Sequence, residues 1–373
     1  MTPRSEGILQ WDNRGSVNVV DLQGKTSVLS QGYWGEEGIA WTRDGAEILF
    51  SGSHGGYGWT IYAVAVAGKR RVALESAGGL TIHDVARDGR WLATRDALRH
   101  GIMVHTPESN EDRDLSWLEW SYGPILSQDG RTVIFSEMSA PMGNNYAVGL
   151  RKTDGSPVMK LGEGIPRDLS ADGKSVLAVV PSTPPQVVIY PTGAGEPRRL
   201  DRGSLENVES AQWFPNGDSI LIGGNEPGTA TRFYDQDLAG GPPRGVTPPG
   251  TNSGKLSPDG KLVLAKGPDG KYFLYTLSGG EPRAVPWLME SESLIRWTAH
   301  GRSVLVFTVG SIPSRVERVD LETGRRTLFK EIAPPDRVGL MGVWPNFVTN
   351  DERSYAYHFY RRVSTLFVAE SKK

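Results

Sequence analysis

The sequence predicts an all-β chain of about eight four-stranded blades, with seven complete blades as the fallback. Three observations carry that reading: a turn motif repeated at a near-constant interval, a strand-forming run after each turn, and a second glycine-rich turn later in each repeat. The copies are WTRDGAEILF at 41, VARDGRWLAT at 85, LSQDGRTVIF at 126, LSADGKSVLA at 169, WFPNGDSILI at 213, LSPDGKLVLA at 256, WTAHGRSVLV at 297 and VTNDERSYAY at 348. Successive copies start 41 to 51 residues apart, the length of a four-stranded unit and too long for a leucine-rich or helical-pair repeat.

Each element follows from its residues. In LSPDGK, Pro258 presets φ for the turn, Asp259 bonds the backbone downstream, and Gly260 takes the positive φ that side chains resist. The runs that follow, such as KLVLA, RTVIF and AEILF, suit a strand buried on both faces between neighbouring blades. A third strand is read in TIYAVAV (60–66), QVVIYPT (186–192), KYFLYTL (271–277) and RVERVDL (315–321). GAGEPRRL, AGGPPRGV, SGGEPRAV and ETGRRTL then turn the chain into an outer strand. Four strands per unit, stacked radially, describe a β-propeller, whose ring closure protects the sheet edges.

The ends fit such a ring. The unit at 348 supplies an inner strand, YAYHFY and TLFVAES and then stops, so an N-terminal strand, TSVLS (26–30), is expected beside the last blade to close the ring. One propeller domain then spans 1–373, and the surplus ILQW and VNVVDL fit a chain cut from a longer repeat array.

Composition excludes several functions. Of 373 residues, 41 are Lys or Arg and 43 Asp or Glu, a net charge of -2 that provides no field to concentrate nucleic acid or acidic lipid. Without Cys there is no disulfide, thiolate nucleophile or cysteine metal site. The start MTPRSEGILQW has no export-signal pattern and no run of 18 apolar residues exists, so no membrane insertion is expected. The chain reads as soluble, monomeric and cytoplasmic as written, its compartment otherwise open.

Catalytic motifs are missing. Ser219 in NGDSI resembles the Gly-Asp-Ser motif of some esterases, but none of the six His has an Asp three residues before it, and Ser219 follows a repeat turn. There is no G-x-S-x-G, no Gly-rich kinase loop, no H-R-D and no D-F-G. His54, His83, His100, His105, His300 and His358 lack zinc spacing, His100 and His105 fall on opposite strand faces by parity, and DQDLAGG at 235 reads as a blade turn. No metal and no cofactor are expected.

Comparison by column is more informative. Trp41, Val85, Leu126, Leu169, Trp213, Leu256, Trp297 and Val348 are apolar in every unit and read as core. One residue earlier stand Ala40, Asp84, Ile125, Asp168, Gln212, Lys255, Arg296 and Phe347, which alternation turns toward a central channel. Asp84, Asp168, Gln212, Lys255 and Arg296 are therefore the candidate ligand-binding residues, set against the plainer reading of a solvated, self-neutralising lining. Trp34, Tyr57, Trp59, Trp117 and Trp120 are candidates for a protein-binding rim, set against wedges between blades.

LSPDGKLVLA, WTRDGAEILF and SGGEPRAV resemble the TolB-type, WD-repeat-like propeller repeat over nearly the full chain. WTRDGAEILFSGS, IYAVAVAGKRRVAL, RDLSWLEWS, LRKTDGSPVMKLGEG and NEPGTATRFYDQDLAGG resemble the propeller region C-terminal to the kinase domain in acidobacterial-type serine/threonine kinases. Unit seven departs with Ala299-His300, unit eight has Glu352 in the glycine position, and the kinase domain itself is absent. The resemblance implies a bacterial, non-catalytic sensor module, extracytoplasmic if it serves a membrane-anchored kinase, that binds a protein or peptide partner or a small ligand. The alternative is a hydrolase or lyase with Asp84 and Asp168 as acid and base in the channel.

Overall fold

The computed structural model describes residues 15–370 apart from 34, 54–57, 77 and 144. All eight repeated motifs are hairpin turns joining the first two strands of a unit. Among the described residues the only helical element is a single turn, Ala140–Met142.

The turns owe their shape to a local network. Gly45, Gly89, Gly130, Gly173, Gly217, Gly260 and Gly301 have φ between +65° and +91°. Ser257 Oγ donates to Asp259 Oδ1 at 2.6 Å, while the N–H groups of Lys261 and Leu262 donate to Asp259 Oδ1 and Ser257 Oγ. The same Ser/Thr–Asp pair recurs at Thr42/Asp44, Ser127/Asp129, Ser170/Asp172 and Thr349/Asp351. In unit eight Glu352 holds φ +58° without glycine's freedom, its carboxylate paired with Arg318.

Six sheets close into a ring. Five are single consecutive units; the first runs Ser121–Leu126, Thr132–Glu137, Ala147–Lys152, Met159–Gly162. Second strands are buried on both faces and split their side chains between neighbours. Val176 and Ala178 pack with Ile134 and Val148 of the preceding blade, whereas Leu177 and Val179 pack with Ile220 and Ile222 of the next. Such clusters fill all six blade boundaries in turn, the last joining Leu305 and Phe307 to Tyr355 and Phe359. Each fully buried Leu, Ile or Val contributes about 1.5 to 3 kcal/mol.

The sixth blade is composite: Leu340–Val348, then Tyr355–Ala369, then Trp91–His105, then Arg113–Asp114. Closure by an upstream strand thus holds, but the strand is Trp91–His105 and not the expected 26–30. Thr26–Tyr33 pairs with Gly15–Val20 in a two-stranded hairpin, because the long strand Tyr355–Ala369 already pairs along its whole length, from Tyr355↔His105 to Ala369↔Trp91. Asp112 pins the closure by accepting the hydroxyls of Tyr355 and Tyr357, each at 2.8 Å, with His105 Nδ1 at 3.1 Å.

Residues 91–98 and 362–369 run past the ring and, with Gly79–Val85, make a second part of the same sheet. The blade containing Gly35–Trp41, Glu47–Ser53, Thr60–Ala65 and Arg70–Leu74 packs on it through Leu49, Ile61, Leu80, Ile82 and Ala93. Eight turns therefore occupy seven sheets of four or more strands, since the units at 85 and 348 share one.

The apolar column divides along that line. Leu126, Leu169, Trp297 and Val348 are buried, but Trp41 is 49% exposed, a correction to its reading as core. Its unit has no ring neighbour on that side.

Candidate functional site

The ring encloses a cavity of about 340 Å³, lined by Ile125, Asp168, Gln212, Lys255, Arg296 and Phe347 among others. These are the channel column of the six ring units. Asp84 does not line it: it lies on Gly79–Val85, outside the ring and exposed, with Oδ1 accepting the Val85 N–H at 2.8 Å. Asp84 and Asp168 are not brought together, which corrects the expected acid–base pair.

Most of the column is engaged in holding blades together. Asp168 Oδ2 accepts the Trp213 N–H at 2.9 Å, and its Oδ1 accepts the Leu169 N–H at 2.9 Å. Gln212 donates to Gly254 O at 3.0 Å and accepts the Leu256 N–H at 3.2 Å. Arg296 donates to Trp297 O and Val348 O, each at 2.6 Å, and to Asn350. Trp297 Nε1 donates to Lys255 O at 3.0 Å, and Asn350 N–H donates to Gln128 Oε1 at 2.9 Å across the ring closure.

Two cations are not so engaged. Lys255 Nζ has no hydrogen-bond or ion-pair partner among the described residues, and Arg167 Nε and Nη2 are buried without one. Alternation alone would turn Arg167 away from the channel. A bulge between Pro166 and Asp168 breaks the register and lets consecutive residues line the cavity. The sequence signal available was the charged doublet Arg167-Asp168, which simple parity hid.

The electrostatics follow from crowding of half-buried side chains around the channel. Desolvation pushes the Asp168 carboxyl up to about 6, against the lowering pull of its two N–H donors and of Lys255. Desolvation likewise lowers Arg167 to about 10, and lowers Lys255 against the pull of Asp168. The arrangement is an anion receptor: two cations short of partners, an apolar flank from Ile125 and Phe347, and a carboxyl that switches charge near neutrality.

Beside the channel, the Tyr122 ring lies 4.2 Å from that of His358, which stacks on Trp344 at 4.8 Å. His100 stacks on Tyr360 and Trp120, and burial lowers it to about 4. Among the described residues no three His, Asp or Glu side chains converge as metal ligands.

The proposed aromatic rim needs correction. Trp34 and Tyr57 lie outside the described residues. Trp59 and Trp120 are buried and Trp117 is half-buried, so these three form no exposed patch. Buried Glu137 draws the segment of Trp117 and Trp120 inward by accepting the N–H groups of Leu118 and Trp120 and the hydroxyls of Ser121 and Ser139.

No family model matches the chain, and no curated protein does. Among solved structures it is similar to TolB from Acinetobacter baumannii, with 17% identity and a TM-score of 0.49, covering 63% of this chain and 64% of that one. A putative TolB from Agrobacterium tumefaciens gives 14% identity and a TM-score of 0.39, covering 92% and 97%. A puromycin-hydrolyzing peptidase from Mycobacterium tuberculosis gives 16% and 0.47, covering 84% of this chain and 59% of the peptidase. Among the described residues no helix is long and apolar enough to cross a membrane.

Proposed function

We propose that the chain is a non-catalytic binding module that captures an anionic group, a carboxylate of a peptide end or of a small acid, in the ring channel. The observation that supports it is the contrast within one column. Asp168, Gln212 and Arg296 are tied to neighbouring strands, while Lys255 and the adjacent Arg167 present donors to the cavity with nothing to receive them. The buried Arg167 Nε and Nη2, left unpaired, cost free energy that an anion would return, and half-buried Lys255 adds its charge to the same cavity.

The sequence resemblance to kinase-associated propellers supports a sensor role in a bacterial receptor-like serine/threonine kinase, with phosphoryl transfer residing in a separate segment. A hydrolase or lyase built on Asp84 and Asp168 gains no support, since only Asp168 lines the channel.

Titration calorimetry with short peptides as free acids and as C-terminal amides tests the reading. The acid binds wild type and the amide does not, and Arg167→Gln with Lys255→Met abolishes the heat. Equal affinity in wild type and the double variant makes the channel a solvated lining only.

A further inference from the structure

A second surface lies at the far end of the shared sheet. The strand Tyr355–Ala369 is covered on one side by Trp91–His105 throughout, but on the other side Leu340–Val348 pairs with it only as far as Arg361. Beyond that point, among the described residues, its outer edge has no partner strand. Arg362 N–H points to that side, donating to Gly339 O at 2.9 Å. By alternation the N–H and C=O groups of Ser364, Leu366 and Val368 point outward too.

Open edges in single-copy proteins are usually blunted by a charge, a proline or a bulge. Residues 363–369, VSTLFVA, contain no charged residue or proline, and their pairing with Trp91–His105 runs without a bulge. Val363, Leu366 and Val368 are 41%, 63% and 56% exposed.

We propose that this edge pairs with the same edge of a second copy of the chain, antiparallel and centred on Leu366, so that the two sheets become one across a two-fold axis. The sequence of the edge is complementary to itself in that register. Leu366 faces its own counterpart, Ser364 faces Val368, and Glu370 faces Arg362, whose guanidinium already meets Glu37 and Asp96 within its own chain, so no two like charges are set directly opposite each other. The outward-facing residues are the even-numbered ones on both strands, which is what a hydrogen-bonded pair centred on residue 366 needs. A shift by one residue would set outward groups against inward ones. This surface is independent of the channel, and it departs from the monomer read from the sequence.

Sedimentation of the full chain, with two variants, tests the pairing. Wild type should sediment as a dimer that dissociates on dilution. Leu366→Lys, at an exposed position, should be monomeric at the same concentrations and melt where wild type melts once diluted to its monomer. The chain has no Cys, so Leu366→Cys gives a unique thiol, and across an antiparallel pair the separation suits a disulfide. It should form a reducible dimer at least about ten-fold faster than Leu22→Cys, a fully exposed control away from the edge. A wild type that remains monomeric to about 100 µM overturns the proposal, even if it recruits a strand from another protein. So does a dimer that survives Leu366→Lys, or equal oxidation of the two cysteine variants.

Discussion

The carboxylate of Asp168 accepts the backbone N–H of Trp213, on the inner strand of the next blade, at 2.9 Å. It makes that bond while standing in a channel that holds its carboxyl at about 6, well above the usual range, because burial outweighs its donors. The folded state therefore binds this proton more tightly than the unfolded chain. The stabilisation is fully present below the unfolded value near 4 and is lost as pH rises through about 6. Chemical unfolding should show Asp168 contributing about 1 to 2 kcal/mol more at pH near 4.5 than near 7.5, with Asp168→Asn flattening that slope. Turn aspartates such as Asp172 and Asp259 are held low by their hydroxyl partners, so their stabilisation fades only below this window. An identical slope in wild type and variant would remove Asp168 from the account.

The two bases of the column should separate in a stability assay. Arg296 fastens two inner strands through Trp297 O, Val348 O and Asn350, so Arg296→Ala leaves buried acceptors and should cost about 1 to 3 kcal/mol. Lys255 donates to nothing and sits among Arg167 and Arg296, so Lys255→Ala should change stability by less than about 1 kcal/mol. Thermal melts of the two variants side by side decide it, and equal losses would mean that Lys255 carries a bond the geometry does not show.

Much of the architecture was legible because it is local. The Ser/Thr-x-Asp-Gly turn, the strand after it and the count of four strands are each written within one repeat, and all eight turns form as the motif implies. Ring closure was not legible, since it depends on pairing residues 91–105 with 355–369, and nothing in either segment names its partner. The channel column was readable from alternation in the six ring units. It misled at Asp84, whose own strand, Gly79–Val85, stands outside the ring, and it missed Arg167, which a bulge rotates into view.

The same division predicts unequal costs for one substitution at equivalent repeat positions. Trp297 is 3% exposed, packs with Leu264, Val304 and Val306 across a blade boundary, and bonds Lys255 O. Trp297→Ala should cost about 3 to 5 kcal/mol. Trp41 heads the corresponding turn but is 49% exposed, so Trp41→Ala should cost about 1 kcal/mol or less. Denaturant midpoints measure both, and a loss at Trp41 as large as that at Trp297 would place its unit inside a closed ring.

The final expectation joins Asp168 to the proposed ligand. Above pH 6 its carboxylate opposes Lys255 and repels an entering anion; below, the neutral acid leaves Lys255 and Arg167 unopposed. The other groups facing the site do not reverse this. Arg167 near 10 stays charged throughout, Arg296 remains a cation, and Tyr122 beside Arg167 is pushed up by burial and stays neutral. A peptide acid is a poor probe, because its own charge begins to change at the low end; a small sulfonate keeps its charge. Its affinity should rise about three- to ten-fold between pH near 7.5 and near 5, the effect of removing one opposing charge at partly screened distance. Asp168→Asn should bind at the low-pH level at both values, since it is neutral at each. A wild-type affinity that is flat or falls on acidification would show that the anion, if bound at all, sits away from Asp168.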